Sequence, residues 1–156
     1  MRKSYWLLDT RLSVLRSEAE TGGRYDIVEG WFPVGAQVPP HRHGKYSEQL
    51  CVLDGEFTVW AGGRKAVLRP GDDLAIPAGT AHSMAVTGNG PGRALIVTSP
   101  SGFARLITEA GTPAEEGEVP PPRPRTWTCF CAPPPNWATR SWALPAPCPN
   151  DKPEKD

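Results

Sequence analysis

The chain reads as an all-β protein, an antiparallel sandwich or barrel closed by one short helix, and three observations predict that class. Short apolar runs recur from Gly22 to Ser99: YDIVEGWF, EQLCVLD, EFTVWA, KAVLRP, DDLAIP, HSMAV and RALIVTS. Turn formers separate them at Val34-Gly35, Gly44, Asp54-Gly55, Gly62-Gly63, Pro70-Gly71, Pro77-Ala78-Gly79 and Gly88 to Gly92. The periodicity changes once, after Pro100, to helical spacing. Many short strands at this spacing build a sandwich or a barrel.

Taken in order, YWLLDTRLSVL, with Trp6, Leu8 and Val14, is expected to add an edge strand or to exchange with a partner copy. Within EQLCVLD, Leu50 and Val52 share one face with Glu48 while Cys51 and Leu53 occupy the other. Neither face is then fully solvated, so a second sheet or a second subunit must cover one of them, and Cys51 is expected to be a buried thiol. Past Pro100, Phe103, Leu106, Ile107 and Ala110 fall on one helical stripe, with Ser101 placed to cap it and Gly111 to stop it.

Length and charge narrow the function classes. A chain of 156 residues holds one core of ordinary size. Seventeen basic and seventeen acidic side chains cancel, which leaves no net field for nucleic acid or an anionic membrane. The expected partner is a small molecule. MRKSYWLLDT has no uninterrupted apolar run of signal or spanning type, so a cytoplasmic protein is expected.

The chemistry concentrates in PPHRHGKYSEQL, residues 39–50. On an extended strand His41 and His43 project from one face, close enough to share a cation. Glu48 has the opposite parity, which a turn or bulge at Gly44 to Ser47 would correct by folding the next strand alongside as a hairpin. His82, the remaining histidine, opens HSMAV with Met84 and Val86 on its own face. Arg42 should point away from the histidines, and Lys45 should be solvated in the turn.

These residues resemble the cupin superfamily. Gly35, His41, His43, Glu48 and Gly55 fit its first motif: a glycine, five residues, HxH, a short gap, a glutamate, six residues and a glycine. Gly71, Pro77, Gly79 and His82 fit the second: a glycine, five residues, PxG, two residues and a histidine. Val86 stands where the family often has asparagine, a position that is not a metal ligand. The resemblance spans roughly residues 20 to 100. It implies a double-stranded antiparallel jelly-roll (cupin) barrel over residues 1–112, with one short C-terminal helix, and one divalent transition metal held by His41, His43, Glu48 and His82. Iron, manganese, nickel, cobalt and zinc all suit that donor set. The resemblance also implies a homodimer, paired through strand edges and apolar outer faces.

Three functions stay open. SGFARLITEAGTPA resembles the closing segment of bacterial flavonol (quercetin) 2,3-dioxygenases at Gly102, Phe103 and Gly111 to Ala114. That likeness implies a dioxygenase-like enzyme for a small enolic or phenolic substrate, with Glu48 as ligand and base and Leu50, Val52, Trp60, Met84 and Val86 as pocket walls or core packing. A second possibility is an isomerase, cyclase or lyase that uses the cation as a Lewis acid, with Tyr46 as its acid or base. The third is a non-catalytic small-molecule binder.

Residues 113–156 differ in kind: twelve of the nineteen prolines lie there, beside Trp127, Trp137, Trp142, Cys129, Cys131 and Cys148. CxC with one distant cysteine lacks a fourth ligand for a metal cluster. With GC-rich codon choices, this stretch read from one base upstream would encode an amphipathic helix and a short strand. The segment is therefore expected to be an irregular tail, disordered or the frame-shifted form of an ancestral helix.

Overall fold

A computed structural model describes residues 3–115; residues 116–156, which hold the tail's tryptophans and three cysteines, lie outside the described residues. Among the described residues, eleven strands form two antiparallel sheets, with two short helices. In chain order these are β1 (Lys3–Leu7), β2 (Thr10–Arg16), α1 (Glu18–Thr21), β3 (Asp26–Phe32), β4 (Gln37–His41), β5 (Ser47–Asp54), β6 (Phe57–Ala61), β7 (Arg64–Leu68), β8 (Asp73–Ile76), β9 (His82–Val86), β10 (Gly92–Ser99), α2 (Phe103–Ala110) and β11 (Thr112–Ala114). The seven-stranded sheet runs β11-β1-β2-β3-β10-β5-β8 and the four-stranded sheet β4-β9-β6-β7. The all-β jelly-roll barrel expected from the sequence is the fold observed.

Alternation along the strands builds the core between the sheets. Val28, Phe32, Leu50, Val52, Ala94 and Ile96 point inward from the larger sheet and meet Phe57, Val59, Met84 and Val86 from the smaller one. Phe32 and Phe57 join the two sheets edge to face, with ring centroids 5.2 Å apart. Burying a side chain such as Leu50 or Phe57 contributes about 1.5–3 kcal/mol. At the β5–β6 turn Gly55 has φ +78°, and a Cβ there would stand 2.5 Å from the Pro91 carbonyl oxygen. Only glycine combines that backbone with that approach.

Several local expectations need correcting. The N-terminal segment is a hairpin, β1 with β2, rather than one edge strand. Leu8 sits in its turn at φ +59°, not on a strand face. β11 pairs with β1 and carries the described fold past the boundary expected at 112. Helix α2 forms where expected, but its buried face is Phe103, Ala104 and Ile107, while Leu106 is exposed. Its N-cap is Gly102 rather than Ser101, and the Oδ2 atom of Asp26, distant in sequence, accepts from the Gly102 and Ala104 amides at 2.7 and 3.0 Å. Cys51 lies on the outer side of the larger sheet and is half-buried. No helix among the described residues is long and apolar enough to cross a membrane.

Candidate metal centre

His41, His43, Glu48 and His82 converge at one end of the space between the sheets, their ligand atoms all within 4.8 Å of one another. Two strands of the smaller sheet start the cluster. Val38 pairs with Met84, but His41 pairs with His82, so β4 carries one residue more than β9 between these pairs. The extra residue falls at Pro39-Pro40, where neither residue has an amide to give the ladder. This bulge reverses the parity of β4, so His41 faces the same side as Val38, and the two imidazoles meet with centroids 4.2 Å apart.

His43 lies beyond the end of β4, and the carboxylate comes from the other sheet. After His41 the chain crosses between sheets, because β4 pairs with β9 while β5 pairs with β10 and β8. The expected hairpin at Gly44 to Ser47 is therefore a sheet-to-sheet crossing, and this crossing brings Glu48 to face the histidines. The loop is anchored at Gly79, whose amide donates to the His43 carbonyl at 2.7 Å. Gly79 itself needs φ +79°. Arg42 and Lys45 are exposed, as expected.

The nitrogens are set for ligation. His41 Nδ1 lies 2.8 Å from the Pro39 carbonyl oxygen and His82 Nδ1 lies 3.0 Å from that of Thr80. A ring that donates from Nδ1 keeps its Nε2 lone pair for a metal. His43 Nε2 and His82 Nε2 stand 3.2 and 3.6 Å from Glu48 Oε2, yet both are buried without a partner of hydrogen-bonding geometry. Buried nitrogens left open around a carboxylate are what a divalent cation would satisfy, so the residues fit the metal that the donor pattern implies.

Electrostatics follow from burial and these contacts. Burial opposes ionisation of Glu48, but the close approach of the His43 and His82 rings to its carboxylate outweighs it and holds the carboxyl down at about 2. Burial also opposes charge on His82, and there Glu48 and the Thr80 carbonyl outweigh it and raise the pKa. His41 is lowered, chiefly by burial and then by His82.

Tyr46 points inward as expected, although β5 begins only at Ser47. Its ring stacks on His43 with centroids 4.5 Å apart, and its buried hydroxyl has no hydrogen-bond partner. Burial first, then Glu48 and Asp26, push the phenol up to about 12. Leu50, Val52, Met84 and Val86 all belong to the inner core. Trp60 does not join them. It alternates with Val59, pairs with Ser83 and Lys65, and so faces the outer side of the smaller sheet. Sequence reading missed Asp26, Thr98 and the packing of Phe103 against His43 at 6.1 Å. A signal for Asp26 existed, since its parity is that of Val28 and Phe32, the apolar face of its strand.

Two antiparallel sheets enclosing three histidines and a glutamate define a class: a small jelly-roll barrel with a candidate mononuclear metal centre near one end. Residues 31–98 match the cupin domain family. That match supports a member of the cupin superfamily. Over 70 residues, 45% of this chain and 21% of the relative, it is 33% identical to quercetin 2,3-dioxygenase of Bacillus subtilis (strain 168), so it spans about a fifth of that protein's length. Among solved structures it is similar to KdgF from Halomonas sp. (TM-score 0.59, 22% identity, covering 67% of this chain and 90% of the other). It is also similar to a predicted oxalate decarboxylase from Thermotoga maritima (0.56, 24%, 58% and 80%) and an RmlC-like cupin from Shewanella frigidimarina (0.55, 24%, 64% and 83%). These structural likenesses bear on the fold alone.

Proposed function

We propose that the protein is a mononuclear metal-dependent oxygenase acting on a small enolic or phenolic substrate. The observation that carries this reading is the convergence of three imidazoles and one buried, ionised carboxylate at the end of an apolar core. The similarity to quercetin 2,3-dioxygenase supports the choice of reaction.

His41, His43, Glu48 and His82 would hold the cation, of which iron, manganese, nickel, cobalt and zinc are candidates. When bound, a divalent cation supplies a Lewis acid that favours the ionised form of a substrate hydroxyl and a seat for dioxygen. Glu48, held at about 2, is ionised at neutral pH and is a weak base, so it takes a proton only from a hydroxyl that is itself acidified. Tyr46 keeps its proton at neutral pH and acts as a hydrogen-bond donor, not as a base. Leu50 and Met84, each two residues from a donor on the same strand face, would exclude water beside the donor set, and Val52 and Val86 continue the apolar core.

The test is oxygen uptake by metal-loaded protein offered a flavonol or an enolic diketone. Uptake that requires both substrate and metal, and is lost in Glu48→Gln, is the expected result. Turnover without oxygen consumption would replace this reading with Lewis-acid isomerase, cyclase or lyase chemistry. Tight ligand binding that ignores metal removal, with no turnover, would leave a binding protein.

A further inference from the structure

The three histidines are not oriented alike. His41 and His82 each engage a backbone carbonyl through Nδ1, whereas among the described residues no carbonyl accepts from the His43 ring. Aromatic faces hold it instead: Tyr46 stacks on it at 4.5 Å and 23°, and Phe103, the first residue of α2, lies 6.1 Å away. Tyr46 is in turn backed by α2. A Cβ built on Gly102 would stand 3.1 Å from both Cδ1 and Cε1 of the Tyr46 ring, so the helix N-terminus rests directly on that face. One carboxylate fixes this N-terminus. Asp26 Oδ2 accepts from the Gly102 and Ala104 amides, and the side chain is 1% exposed. Asp26 also shares a cross-strand row with Glu48, since Thr98 on β10 pairs with both.

We propose that Asp26 is a positioning residue for the metal centre, seating the N-terminus of α2 so that Gly102 and Phe103 hold Tyr46 and His43 in ligating geometry. The proposal rests on the reading of His41, His43, Glu48 and His82 as metal donors. A charged acceptor shared by two amides is a stronger clamp than a neutral cap, and loss of an outer partner of a metal-binding histidine typically costs about 10–100-fold in metal affinity. An exposed cap would have no such reach. This one is buried, as are Tyr46 and Phe103 on the way from Asp26 to His43, in a close-packed interior that passes displacements on.

Cobalt(II) is the probe, titrated into metal-stripped full-length protein and followed by affinity and by its visible d–d spectrum. If wild-type protein binds no cobalt, the donor set itself is misread. If it does bind, Asp26→Ala should weaken cobalt binding about 10–100-fold and alter the spectrum while far-UV circular dichroism is retained. Asp26→Asn, which keeps an acceptor oxygen at the cap, should recover most of the affinity and the wild-type spectrum. Wild-type affinity and spectrum in Asp26→Ala, or equal damage in both variants, would overturn the proposal. Should Asp26→Ala not fold, Gly102→Ala decides the matter. It leaves the carboxylate in place and presses only on Tyr46, so it should shift the cobalt spectrum, and an unchanged spectrum would refute the link.

Discussion

His41 and His82 face each other directly across β4 and β9, their ring centroids 4.2 Å apart, because a bulge at Pro39-Pro40 turns His41 toward the core. Each is also tied by Nδ1 to the carbonyl two residues before it. The pair is thus rigid before any cation arrives. His82→Ala removes one donor and leaves Glu48 buried with one histidine contact fewer. Metal affinity should fall by more than the roughly 100-fold that loss of outer partners alone can cause. Metal content per chain after gel filtration, close to one in the parent protein and near zero in the variant, checks this.

Metal loading should stabilise the fold, because a site assembled from both sheets exists only in the folded state. At a free metal concentration about 100-fold above Kd, linkage adds about 2.7 kcal/mol. Thermal unfolding with and without a chelator measures the difference, and an unchanged Tm would mean that no cation binds there.

The metal-free protein should respond to acid through Glu48. Its folded-state pKa, about 2, lies below the ordinary value of 4.5, so its contribution to stability is fully present above about pH 4.5 and is lost as pH falls toward 2. His82 has the opposite sign: its raised pKa contributes stability below the ordinary 6.5, and this fades as pH rises through the folded value. His41, lowered by burial, offsets part of that gain by resisting protonation below 6.5. Metal uptake must displace any proton on His82, so affinity should drop as pH is lowered from 8 to 6, with proton release on binding. Calorimetry in two buffers of different ionisation enthalpy reads that release.

Gly55→Ala should destabilise the fold by more than about 1 kcal/mol, since the new Cβ meets the Pro91 carbonyl and the backbone stays at φ +78°. Leu50→Ala, at a fully buried position on the strand that carries Glu48, should cost about 2–5 kcal/mol. Urea denaturation of the two variants separates a turn defect from a core cavity only in size, so metal content is the second readout. Gly55 is remote from the donors and its variant should bind metal normally once folded.

Much of this arrangement was legible in the sequence, for identifiable reasons. Alternation and turn residues mark β3, β5, β6, β9 and β10 because those strands bury one face or both, and burial writes its period into the chain, while β7 and β8, with one buried residue each, are marked chiefly by the turns around them. The four donors are legible because the motif spacing is rigid. What was not legible depends on partners. Parity places Glu48 opposite His41 and His43 on one strand, but only the crossing between sheets, invisible to local pattern, shows that this mismatch is no obstacle. Trp60 reads as a wall by its size alone, yet its parity with Thr58 puts it on the outer face. Ser101 reads as the cap of α2 because the capping rule is local, whereas Asp26 reaches that position only through the fold.

Tyr46 separates packing from chemistry. Its ring supports His43, while its hydroxyl is buried and unbonded, and a buried hydroxyl without a partner contributes nothing to the folded state and costs desolvation. Tyr46→Phe keeps the ring and removes only that oxygen, so stability should be unchanged or higher by up to about 1 kcal/mol, and metal content should be that of the parent. If the hydroxyl is kept for the substrate, turnover should fall by about 10²–10⁴-fold, the usual worth of a positioned proton donor. Steady-state kinetics on metal-loaded protein, beside a thermal melt, gives both values. Full activity in the phenylalanine variant would reduce Tyr46 to a support for His43.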